Sequence, residues 1–264
     1  MKLKFVMRMT VAAVAALTTV NFAHAHAIWF TQRSGQTALI YGHGAEDLNL
    51  KPRVGKIGAV AGFDAQAHPV DISTEVTDYL YLVDVKAKPV VLTATMDNGL
   101  WSKAPDGKWS AKGKDEVPGA SESGYYLKYA IHLRAPLAAN PEASATSAIP
   151  AAGQRVALPI LPNLDFQVLP QSDPSAQHAG GALKLKVFYK GQAVAGAKVI
   201  ADVVTDPDAK PLLTNRHGEV TVRIRNQGLN VVEVSYRSAP LDAAKANYTE
   251  HTGTLSFVLA HKPE

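Results

Sequence analysis

Short apolar, β-branched and aromatic runs recur along this chain, each closed by a turn signal, and that rhythm most restricts what it can fold into. They are Ala38–Tyr41, Tyr79–Val85, Val90–Met96, Leu183–Tyr189, Lys198–Val204, Glu219–Ile224 and Leu229–Tyr236. Runs this short, rich in Val, Ile and Tyr and bounded by Gly, Pro and Asp, are strands. Leu183 to Tyr189 and Val220 to Arg225 alternate apolar with polar residues, which predicts antiparallel sheet with one buried and one solvated face. No stretch carries a helical period with caps, although Ala120–Ala130 and Pro240–Ala246 each have room for a short helix or turn. The predicted fold is therefore mostly β.

The first 25 residues are read separately, because they have the order of a secretion signal. Lys2, Lys4 and Arg8 precede an apolar run from Val11 to Val20, and Ala23-His24-Ala25 offers the small residues read by a signal peptidase. The run is shorter than the roughly 20 apolar residues that span a bilayer. Cleavage after Ala25 makes His26 the new terminus; Ala25-His26-Ala27 offers a second cut that frees Ile28. This predicts an exported, periplasmic protein.

Loss of Lys2, Lys4 and Arg8, with no acidic residue before His26, takes the formal charge from +4 to +1. A near-neutral chain has no electrostatic footprint for nucleic acid. With no cysteine, neither a disulfide nor a thiolate metal site is available, so stability rests on burial. Between Leu133 and Pro162 the composition shifts to Ala, Pro, Ser, Thr and Gly, as in a linker or crossing loop. The expectation is two β-sandwich-like domains, residues 26–133 and 164–264, joined by 134–163. Turn signals at Lys190-Gly191, Ala195-Gly196, Asp206-Pro207-Asp208, Arg216-His217-Gly218 and Gln227-Gly228 give the second an immunoglobulin-like spacing.

Several segments together resemble the DUF4198 family: His26-Ala27-Ile28-Trp29-Phe30, Tyr41-Gly42-His43-Gly44, Asn98 to Lys103 and Ser123 to Tyr129. The hairpin from Phe188 to Val199 and the one from Leu213 to Val220 look like that family's second module. The resemblance implies a periplasmic two-domain β protein associated with uptake of a transition metal, nickel or cobalt, acting beside a membrane transporter or outer-membrane receptor.

The residues themselves offer nitrogen ligands. An N-terminal histidine presents its α-amine and its imidazole Nδ1 to one ion, and a second imidazole completes three nitrogens, a set that suits nickel, cobalt, copper and zinc. His43, between two glycines at a strand end, is the first candidate for that second imidazole, and His132 is the third candidate ligand, with Glu46 or Asp47 as a nearby carboxylate. His24 becomes a ligand only with an earlier cut. His68 and His178 are read as loop residues, His217 as a turn residue, and His251 and His261 as members of a solvated face. Trp101, Trp109, Tyr125, Tyr126 and Tyr129 either cover a core or form a surface with Lys103 and Lys128. Met96 is the one methionine after residue 25, which excludes a methionine-rich cuprous site.

Motifs for nucleophilic, metalloprotease, phosphate-loop or dinucleotide chemistry are absent, so no catalytic residue is assigned. The alternatives to a metal accessory protein are a non-catalytic envelope binding module and a copper oxidase in which the same amine and imidazoles activate oxygen.

Overall fold

The computed structural model describes residues 26–33, 35–137 and 157–259. The predicted signal (residues 1–25), the middle of the predicted linker (138–156) and His261 lie outside the described residues. Among the described residues the protein is mostly β, with eighteen strands in three sheets. The first sheet runs β1 (Ala27–Arg33), β2 (Gln36–His43), β7 (Tyr81–Asp84), β6 (Ser73–Val76), with β3 (Glu46–Leu48) also on β2. The central sheet runs β15 (Leu212–Leu213), β14 (Lys198–Ile200), β17 (Leu229–Ser238), β18 (Tyr248–Val258), β10 (Glu122–Leu133), β8 (Val91–Lys103), β4 (Ile57–Phe63), β5 (Pro69–Val70), with β9 (Trp109–Ser110) beside β8. The third holds β11 (Phe166–Pro170), β12 (Ala182–Tyr189) and β13 (Gln192–Ala193), with β16 (Glu219–Arg223) on β12.

Each of the seven apolar runs coincides wholly or in part with a strand. Ala120–Ala130 does not form a helix: from Glu122 it belongs to β10, because Leu127, Tyr129 and Ile131 alternate onto one face and are needed in a sheet core. The central sheet also contains a pairing that local pattern does not announce. β10 lies parallel to β18, from Gly124 opposite Tyr248 to Leu133 opposite Phe257. Parallel neighbours need a long connection, and here it is the whole stretch between them. One sheet thus carries strands from both sides of residues 134–163.

The third sheet packs on one face of the central sheet. Leu183, Leu185 and Val187 of β12 share a core with Ile131 and Leu133 of β10 and with Leu255 and Phe257 of β18. Phe166 reaches β18 at Gly253, where an added Cβ would stand 3.0 Å from its ring, so glycine allows the ring to lie on the backbone.

The first sheet meets the opposite face edge-on. One side of it, Ile28, Phe30, Leu39 and Tyr41, packs with Leu92, Ala94 and Met96 of β8 and Ala130 of β10. Its other side, Ala27, Trp29, Ala38 and Ile40, packs with Ile200, Val203 and Val231. With both faces of β1 covered, its open edge points into the central strands, where side chains take its carbonyls: Thr254 Oγ1 donates to Ile28 O at 2.7 Å, and Lys128 Nζ donates to His26 O. Burying an edge strand in this way needs such partners, because an orphaned buried carbonyl costs about 1–3 kcal/mol.

Thr254→Val keeps the shape and removes the donor. It is expected to lower the unfolding free energy by about 1–3 kcal/mol, seen as a lower urea midpoint with unchanged slope. The exposed Thr221→Val on β16 serves as the control and should change little.

Candidate functional site

The sequence places His26 and His43 by simple register. β1 pairs antiparallel with β2, Ala27 opposite Gly42, which brings the residue before β1 beside the last residue of β2. β2 then turns through Gly44 and Ala45 into β3, with His43 opposite Glu46 and Gly44 at φ +60°. A two-residue hairpin turn favours glycine at that positive φ. A side chain at Gly42 would collide with the Glu46 carbonyl and with Trp29, so the glycines flanking His43 are demanded by the hairpin itself.

The two imidazoles meet edge to face, with ring centroids 6.3 Å apart and planes at 78°. His26 also stacks on Tyr41 at 5.3 Å, and the Arg53 guanidinium lies 4.7 Å from the same Tyr41 ring. Burial, and then the charges of Lys128, His43 and Arg53, hold the His26 pKa below the usual imidazole value, while Glu46 acts against them. The ring is thereby kept neutral, the form that binds metals. The same cations oppose a dication at this spot, and Glu46 offsets part of that field.

A metal–nitrogen bond is about 2.0–2.1 Å and the ring centre lies about 1 Å further back, so imidazoles on opposite sides of one ion have centroids roughly 6 Å apart. The observed separation is of that size, and rings that meet edge to face must turn before both present a nitrogen to one ion. Among the described residues, no three His, Cys, Asp or Glu side chains form a metal-holding group. An ion at this pair would need a further donor beyond those side chains.

His132 lies elsewhere. It follows Lys128 by four residues along β10, about 13 Å at roughly 3.3 Å per residue. It is fully buried, with Nδ1 2.9 Å from Ser256 Oγ and its ring 6.0 Å from that of Phe30. It does not converge with the other two histidines.

One residue differs from its sequence reading, and one is decided between two. His251 is 2% exposed, not on a solvated face. Its Nε2 is 3.0 Å from Ser238 Oγ and its Nδ1 3.3 Å from Tyr129 OH, within rings of Tyr189, Phe166 and Tyr236. A serine beside a histidine invites comparison with a nucleophile and base. Burial pushes this imidazole down to about 4, and its other ring nitrogen meets the Tyr129 hydroxyl where such a pair would have a carboxylate. Lys128 is 1% exposed, which decides against the surface alternative for it. Around it are the buried Glu233 and Glu250, whose charges support its own. The available signal was a lone charge inside an apolar run, Val231-Val232-Glu233-Val234.

The chain matches the domain of unknown function DUF4198 over residues 23–238 and belongs to that family. No curated protein and no solved structure gives a significant match. The matched span contains His26, Tyr41, His43, Glu46, Arg53, Lys128 and Glu233.

Burial holds His132 at about 3 and His251 at about 4, whereas an unfolded chain protonates both near pH ~6.5. Between those values the unfolded state binds more protons, so stability falls as pH falls. The stability advantage of the wild type over a His132→Gln/His251→Gln variant should therefore shrink by about 1.4 kcal/mol per pH unit per histidine from about pH 6.5 to 4.5. Urea denaturation across that range measures it, and a constant difference would contradict the assignment.

Proposed function

We propose that this is an exported periplasmic accessory protein that binds a divalent transition metal, nickel or cobalt, as cargo and passes it to or from a membrane transporter. The observation carrying the reading is the pairing of His26 with His43 across the start of β1 and the end of β2, ring centroids 6.3 Å apart. Cleavage after Ala25 adds the amine of residue 26, which closes a chelate ring with the imidazole Nδ1 of the same residue. Opposed imidazoles with an amine between them suit tetragonal nickel(II) or copper(II) better than tetrahedral zinc, and copper(II) is the strongest competitor on affinity alone.

Each element of the site has a task. β1 fixes the terminal residue, the Gly42-His43-Gly44 hairpin presents the opposing ring, and Tyr41 covers one face of the His26 imidazole. Half-burial of His26 restricts water at the ion without closing the site. An open coordination position suits cargo that must be released.

Isothermal titration of protein beginning at His26 with nickel, cobalt, copper and zinc tests this. One ion per chain is expected, with binding lost in His26→Ala, weakened in His43→Ala, and weakened when an extra alanine precedes His26. No binding of any of the four metals by correctly processed protein would sink the metal reading and leave the non-catalytic envelope module in its place.

A further inference from the structure

Lysine is almost never fully buried without a partner, yet Lys128 sits in the middle of the central sheet at 1% exposure. Its position in the fold explains what it reaches. On β10 it shares a face with Ala130 and His132, the face turned toward the edge of β1. Among the described residues its hydrogen-bond acceptor is the carbonyl oxygen of His26. Burial presses the Lys128 ammonium down to about 8 against the opposing fields of Glu233 on β17 and Glu250 on β18, burial likewise raises Glu233 to about 7, and Oε2 of Glu233 has no hydrogen-bond partner among the described residues. Glu250 is itself held by Arg237 Nε at 2.8 Å. The result is an ammonium set inside the sheet and aimed at the one peptide unit that joins residue 26 to β1.

That peptide unit is where a cleaved chain is least secure. Pairing with β2 begins at Ala27, so nothing in the β1–β2 ladder ties residue 26 itself. Chain termini fray unless they are tied down. A chelate built on the amine and ring of the terminal residue fails if that residue swings away from the opposing imidazole.

We propose that Lys128 is the positioning residue of the His26–His43 site: its buried ammonium, set against Glu233 and Glu250, anchors the carbonyl of residue 26 and holds the new terminus opposite His43. This rests on the metal-binding reading above. It carries a sign that electrostatics alone would reverse. Removing a nearby cation should strengthen binding of a dication, whereas removing an anchor should weaken it.

The test is nickel binding to processed wild type and to Lys128→Met, followed by calorimetry and by the electronic absorption of the bound ion. Loss of a partner that orients a ligand costs metal affinity about 10- to 100-fold. The variant is therefore expected to bind about 10- to 100-fold more weakly, with a changed ligand-field spectrum. Should Lys128→Met fail to fold because it strands Glu233, Lys128→Met/Glu233→Met replaces both charges with apolar groups and is expected to show the same two changes. Equal or tighter binding with an unchanged spectrum overturns the positioning role while the metal reading stands. Absence of binding by the wild type overturns both.

Discussion

The open edge of β1 governs the architecture. A strand with one side paired and the other side buried must find partners for its outward carbonyls, and the central sheet meets that need with side chains, Thr254 for Ile28 and Lys128 for His26. This requires polar groups in the middle of a sheet covered on both faces. β18 carries them in alternation, Glu250, Thr252, Thr254 and Ser256 toward β1, with His251, Gly253, Leu255 and Phe257 toward the third sheet. The first sheet can therefore stand on its edge with both of its own faces packed, which ties strands from the two ends of the chain into one core.

Much of this was legible from residues and some was hidden for a physical reason. The strands follow from β-branched and aromatic runs. The position of His43 follows from glycines that only a tight hairpin needs. Polar alternation, by contrast, ordinarily signals a wet face, and in β18 it signals the underside of a buried edge. His251 was misplaced on that account, and for Lys128 the sequence left core and surface both open. Their burial depends on the parallel pairing of β10 with β18, a long-range contact with no local signature. The convergence of His26 with His43 was within reach of the sequence because it is set by one hairpin and one ladder. The position of His132 was not, since it depends on how the sheets stack.

The candidate site draws on both kinds of structure. His26 and His43 belong to a local hairpin system, while Lys128, Glu233 and Glu250 come from three strands of the central sheet. The local part brings the two imidazoles together and the long-range part places the Lys128 ammonium at the carbonyl of His26. The DUF4198 match, from before β1 to the end of β17, covers His26, His43, Lys128 and Glu233 and stops short of Glu250 on β18.

The place of β18 bears on how such a chain is made. Among the described residues it is the last strand, and it lies between β10 and β17, so the central sheet has a gap at its middle until β18 arrives. Until then β10 lacks its parallel neighbour and Ile28 lacks the Thr254 hydroxyl. Contacts this distant in sequence close slowly, because loop entropy must be paid first. A nascent chain of this kind cannot complete its central sheet before β18 has been delivered, so strands made much earlier wait for a partner that local folding cannot supply.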